Sequence, residues 1–207
     1  MIEAFITGLT LGLGSGAAPG PLTGLAITTT MRSGFHAGLR IAVAPLLSDT
    51  LIIALSITLV SQLPERGIQV LGILGAVVVG FFGVETLIST RKANPPSSEE
   101  VPIPRKLDRL PLLVQGATLN MLNPAPWIFW VTAGSTLLVG FWRENPVTAV
   151  VFLLIFYVML VGTKVLIVVG LAATRHRMTT RTYRGVLYSS GVLLLVAAVL
   201  LFVSHVL

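Results

Sequence analysis

Six apolar blocks, each long enough to cross a bilayer as a helix, constrain this chain more than any other feature of its sequence. They run from Ile2 to Thr30, Ala37 to Val60, Ile68 to Ser89, Leu110 to Phe141, Val147 to Ala173 and Val186 to Val206. A helix needs about 20 predominantly apolar residues to span the hydrocarbon core. None of the blocks alternates with a two-residue period over ten-residue segments, and lipid offers no water to an unpaired backbone group. The expectation is therefore an all-α membrane protein of six transmembrane helices rather than a barrel. Charged residues make up only 11% of the 207, against about 25% in soluble globular domains, so an ordinary water-soluble enzyme is close to excluded.

The net charge of +6 invites a nucleic-acid reading until the basic residues are placed. If all six blocks cross, one side collects Arg32, Arg40, Arg91, Lys92, Arg105, Lys106, Arg109, Arg175, Arg177, Arg181 and Arg184. The other holds only Arg66 and Arg143, and Lys164 falls inside a span. Retained positive charge marks the cytoplasmic face, which predicts a multi-pass protein of the cytoplasmic (inner) membrane with both termini outside. The basic excess then needs no nucleic acid. Met1-Ile2-Glu3-Ala4 lacks the basic region of a cleavable signal, and the apolar stretch behind it is too long for one, so it reads as the first span. Cysteine is absent, which removes disulfides and thiolate chemistry. His36, His176 and His205 fall in or beside polar loops or at the tail, so neither a metal nor another cofactor is expected.

The polar, proline-rich segment Arg91 to Arg109, with Asn94-Pro95-Pro96-Ser97-Ser98-Glu99-Glu100, divides one transmembrane domain (1–207) into a first half (1–89) and a second half (110–207), joined by a cytoplasmic connection (90–109). Three spans per half would place the second half upside down relative to the first, the arrangement of many secondary transporters.

The first and fourth spans each contain a Pro-x-Pro element, Pro19-Gly20-Pro21 and Pro124-Ala125-Pro126, the latter preceded by Asn123. Proline deletes a backbone donor and biases the residue before it toward extended geometry, leaving carbonyls without helical partners. In lipid such breaks persist only where they face protein or water. At about 1.5 Å per helical residue, Pro21 lies roughly 16 Å from Arg32, Pro124 roughly 22 Å from Arg109, Asp49 about 13 Å from Arg40 and Lys164 about 16 Å from Arg175. All four features thus converge near mid-membrane. A charge there costs a few kcal/mol, so Asp49 and Lys164 are read as functional, with a buried structural ion pair as the alternative. Glu85, about 9 Å from Arg91, is within reach of the interface and reads as structural. Gly8, Gly12, Gly16, Gly20 and Gly24 form a stripe that permits close helix approach. Trp127, Trp130 and Trp142 read as an aromatic belt at the outer interface.

No phosphate-binding loop, His-Glu-x-x-His or Gly-x-Ser-x-Gly motif is present, so neither ATP nor soluble-type catalysis is implied. The run Gly16-Ala17-Ala18-Pro19-Gly20-Pro21, the glycine-bearing turn Gly34 to Gly38, Asp49 and Asn123-Pro124 together resemble the LysE-type translocators, a family of amino-acid exporters, over essentially the whole chain. The resemblance implies functional roles for Pro19, Gly20, Pro21, Asp49, Asn123 and Pro124. With Asn120 and Lys164 these form the candidate substrate-binding or translocation set. Where many members of that family carry lysine after the Asn-Pro pair, this chain has Ala125-Pro126. Pro45 stands in a stretch that is usually glycine-rich. The expected activity is secondary export of an amino acid or similar small zwitterion in exchange for protons, without enzymatic chemistry. Asp49 reads either as the ammonium ligand or as the proton carrier. Two rivals remain at this stage, a helix-packing scaffold or accessory subunit and a membrane-embedded enzyme. A homo-oligomer is compatible with the sequence, and the bilayer is a partner in every reading.

Overall fold

The computed structural model describes residues 1–94, 110–173 and 179–206; every regular element among them is helical. The first apolar block does not form one helix. It gives α1 (Ile2–Ala17) and α2 (Pro21–Ser33), separated by three non-helical residues. Gly20 is fully extended (φ −177°, ψ 170°) and Pro21 occupies the first helical position of α2, where a missing N–H costs nothing because that donor would be orphaned anyway. The second block gives α3 (Phe35–Ala42) and α4 (Pro45–Val60), joined by a tight turn at Val43-Ala44. Pro45 has no N–H to continue the ladder, so short-range bonds from Ala44 N to Ile41 O and from Leu46 N to Val43 O take its place. This interruption, four residues before Asp49, is absent from the sequence reading. The third block is the unbroken α5 (Glu65–Thr90).

The fourth block gives α6 (Leu112–Leu122), α7 (Pro124–Phe129), a π-helical turn (Trp130–Gly134) and α8 (Ser135–Glu144). Helix is lost at Asn123 alone, because Pro124 and Pro126 both sit in the first turn of α7, where helices tolerate proline. The fifth and sixth blocks are α9 (Pro146–Ala173) and α10 (Thr180–Val206). Five helical stretches have the length and apolarity to cross a membrane: Phe35–Val60, Glu65–Thr90, Pro124–Glu144, Pro146–Ala173 and Thr180–Ser204. The expected first span is instead delivered in two pieces, and α1, at 16 residues, is about 24 Å long on its own.

Two small clusters fix the ends of the bundle. Ile27 of α2, Leu171 of α9, Tyr183 and Leu187 of α10 and Ala93 after α5 meet at one end, where the Arg184 Nε also donates to the Ala93 carbonyl at 2.8 Å. Val60 of α4, Ile68 of α5 and Val139 of α8 meet at the other. Arg91 and Lys92, after α5, lie next to Ala93, and Arg181 and Arg184 lie in the first turns of α10, so these four basic residues gather at the first end. Arg105, Lys106, Arg109, Arg175, Arg177 and His176 fall outside the described residues.

The glycine stripe of α1 acts as a packing surface along part of its length. A Cβ at Gly8, Gly12 or Gly16 would lie 2.9, 2.5 or 2.7 Å from the carbonyl oxygens of Phe152, Phe156 and Leu160 in α9, so the two backbones touch at four-residue intervals. Gly20 has nothing within 4 Å and takes no part. Replacing Gly12 with valine must displace backbone rather than a flexible side chain, and is expected to destabilise the bundle by about 1–3 kcal/mol. Thermal unfolding in detergent checks this, with Gly162→Ala, which meets open space, expected to be neutral.

Candidate functional site

Between the interruptions lies a cavity of about 480 Å³, within the roughly 300–1,000 Å³ usual for small-molecule sites. It is reached by residues of α1, α2, α4, α5, α6, α7, α9 and α10.

The break in the first span forms one wall. Helix ends leave carbonyls unpaired, and in a buried setting these must find donors. Here neighbouring helices supply them. Ser190 of α10 adds a bond at 2.6 Å to the Gly14 carbonyl, which already accepts from the Ala18 N–H at 3.0 Å. The Lys164 ammonium of α9 donates to the Gly16 carbonyl at 3.1 Å and to the Thr23 hydroxyl at 2.9 Å. Thr23 in turn donates to the Ala18 carbonyl at 3.1 Å. A cation at the C-terminal end of α1 also meets the negative end of that helix's dipole. Lys164 is 6% exposed, and two of its three donors are used. The first turn of α2 begins beside it, with Leu22 and Thr23 lining the same cavity.

The opposite wall carries Asp49, 3% exposed. Its Oδ1 accepts from Asn120 Nδ2 at 2.7 Å and lies 3.4 Å from the Ser48 hydroxyl, and its Oδ2 accepts from the Tyr157 hydroxyl at 3.1 Å. The second hydrogen of the Asn120 amide goes to Ser48 Oγ at 2.8 Å. The carboxylate is thus held by neutral donors, and no hydrogen bond joins it to Lys164, although both line one cavity. Neutral partners, acceptors at Lys164 and donors at Asp49, rather than a directly bonded ion pair, compensate each buried charge.

The break in the fourth span is closed on itself. Asn123 Oδ1 accepts from Ala125 N at 3.1 Å as the cap of α7, Asn123 N bonds back to Leu119 O at 3.1 Å, and Trp127 Nε1 donates to Met121 O at 2.8 Å. With Pro124 and Pro126 lacking N–H groups, the start of α7 offers a ligand little backbone hydrogen bonding. The two breaks, alike in sequence, therefore differ in chemistry: free helix-start donors at the first, the side chains of Asn120 and Asn123 at the second.

Of the candidate residues, Pro19, Gly20, Asp49, Asn120, Asn123 and Lys164 line the cavity. Pro21 and Pro124 are exposed first-turn residues outside the lining. Glu85 also lines the cavity, at an exposed position. Trp130 departs from the belt expectation: it is 1% exposed, stacked on Tyr157 at 6.3 Å and edge-on to Phe156 at 5.4 Å. Ser48, Thr23 and Tyr157 escaped the sequence reading; Tyr157 lies two helical turns from Lys164 on the same face of α9, a spacing that could have marked it. Among the described residues no three metal-ligating side chains gather.

The family model described as LysE type translocator matches residues 15–205. No curated protein matches the chain, and no solved structure does.

Proposed function

We propose that this chain, which belongs to the LysE type translocator family, is a secondary exporter that carries an amino acid or similar small zwitterion out through the cytoplasmic membrane in exchange for protons. The observation that carries this reading is the pair of buried opposite charges lining one cavity without a bond between them. A zwitterion supplies what each lacks. Its carboxylate fits the remaining donor of Lys164 and the N–H groups at the start of α2, where the helix dipole favours an anion. Its ammonium fits Asp49, with the amide of Asn120 and the hydroxyl of Tyr157 fixing the carboxylate's orientation. Pro19 and Gly20 hold the first span open for that approach, and at the fourth Asn123 caps the helix that restarts at Pro124. In the proton-loaded state Asp49 is neutral and its ammonium affinity falls, which couples release of one ligand to uptake of the other.

The proposed frame is two inverted halves of three spans around this cavity, with the basic end cytoplasmic and both termini outside. A single cysteine replacing Ser204 is expected to react with a membrane-impermeant thiol reagent in intact cells, and one replacing Ser98 to stay unreactive until the cells are opened. The reverse pattern overturns the orientation. For the activity, purified protein in vesicles loaded with radiolabelled amino acids is expected to release label, faster under a proton gradient opposed to the efflux. Release no faster than from empty vesicles overturns the reading.

A further inference from the structure

We infer that the transported zwitterion carries a large apolar side chain, leucine, methionine or phenylalanine in kind, rather than a cationic or hydroxylated one. The inference rests on the export reading above and concerns the part of the cavity that reading leaves empty. Asp49 and Lys164 account for the ammonium and carboxylate common to every amino acid. Beyond them Ser15, Glu85, Thr86, Ser89 and Asn123 supply a polar remainder, but most of the cavity wall is apolar, made by Val79 and Phe82 of α5, Phe129 and Trp130 of the fourth span, and Phe156 and Leu160 of α9.

These side chains form one surface. Phe129 stacks on Phe156 at 5.5 Å with an interplanar angle of 9°, and Trp130 closes edge-on against Phe156. The Trp130 indole N–H is the one polar handle among the six. Along α9, Phe156, Leu160 and Lys164 recur every four residues and line the cavity together, about 12 Å from first to last. A zwitterion held between Lys164 and Asp49 therefore has Leu160 and the Phe156–Trp130 corner beside its charged end, and its side chain meets the apolar wall of Phe129, Val79 and Phe82. A hydroxyl, ammonium or guanidinium laid against those carbons would surrender its water without gaining a partner from them, whereas methyl and ring carbons gain apolar contact. The polar cavity residues Glu85, Thr86 and Ser89 lie one to two turns further along α5 than Phe82, so a cationic or hydroxylated side chain would have to pass the apolar wall to reach them.

The experiment is exchange by the wild-type protein in vesicles, with leucine, methionine, phenylalanine, alanine, threonine, lysine and arginine compared under one condition. At least one of the first three is expected to exceed alanine and lysine by about tenfold or more, the scale on which apolar pockets separate side chains differing by a few methylene groups. Lysine, arginine or threonine exchanging as well as the best apolar amino acid overturns the inference while leaving amino-acid export standing. Exchange of none of the seven overturns both. Phe82→Glu, which puts a carboxylate on the wall at a half-buried position, is expected to move the leucine-to-lysine ratio toward lysine by about tenfold. An unchanged ratio at matched protein levels counts against the wall as the selecting surface.

Discussion

Asp49→Asn is expected to lower amino-acid exchange by about 30-fold or more, the loss of about 2 kcal/mol or more that follows from removing one partner of a buried charged contact. The protein should still insert and fold. Asparagine matches the shape of the carboxylate, keeps one acceptor for the Asn120 amide 2.7 Å away, and offers its own amide to the Tyr157 hydroxyl. What it cannot do is carry charge. Glu85→Gln, at an exposed position on the cavity rim, should stay within about fivefold of wild type, the scale of ~1 kcal/mol set by exposed charges. Lys164→Met distinguishes a mere ion pair from two separate duties. Were the charges retained only to neutralise each other, removing both would restore activity. Because Lys164 is bonded to Gly16 and Thr23 and Asp49 to Asn120 and Tyr157, the double variant is expected to remain as inactive as the worse single one. Exchange recovering toward wild type in the double variant would reduce the two residues to structure.

Pro19→Ala with Pro21→Ala is expected to abolish binding and exchange together, while Pro124→Ala costs far less. Removing both prolines of the first break permits the helix to run from α1 into α2, so the Gly16 carbonyl takes a backbone donor from the next turn and Lys164 loses one of its two partners. The free donors at the start of α2 vanish at the same time. At the fourth span, Asn123 caps α7 and Trp127 seals the Met121 carbonyl, and those bonds do not depend on Pro124. Equal losses from the two sets of substitutions, measured at matched membrane levels, would contradict this asymmetry. Movement is expected in α2 and not in α1. The backbone contacts of Gly8, Gly12 and Gly16 with α9 fix α1 in place, and Gly14 is packed against Leu194 of α10.

The helical blocks and the two intramembrane charges were legible from sequence because each follows from a large, local cost. An unpaired backbone group or an isolated charge in hydrocarbon must be explained wherever it occurs. The turn before Pro45 was less legible, since one proline inside an apolar run is equally compatible with a kink or a helix start. Trp130 was misplaced for a different reason. Tryptophan near a predicted helix end suits an interface, and only the meeting of α9 with the π-helical turn puts its ring on Phe156 and Tyr157. Ser48, Thr23 and Tyr157 are ordinary residues of apolar helices until the helices are assembled. Their partners lie 71 or more residues away or across a break, where no periodicity reaches. The unlike chemistry of the two Pro-x-Pro elements is likewise invisible in their shared pattern, because it turns on where the helix restarts, at the second proline in one and the first in the other, and on the capping side chain of Asn123.

The central claim is that one cavity between the first and fourth spans, the two interrupted at Pro-x-Pro, serves both sides of the membrane in turn. It is tested most directly by a single cysteine replacing Ala125, a half-buried cavity residue of an otherwise cysteine-free chain. Oriented vesicles would be labelled with an impermeant thiol reagent from either face, with and without a transported amino acid. The account predicts labelling from both faces, slowed by the amino acid and shifted between faces by a proton gradient. Labelling from one face only, indifferent to the amino acid in a variant that still exchanges it, would contradict the account and place the path elsewhere.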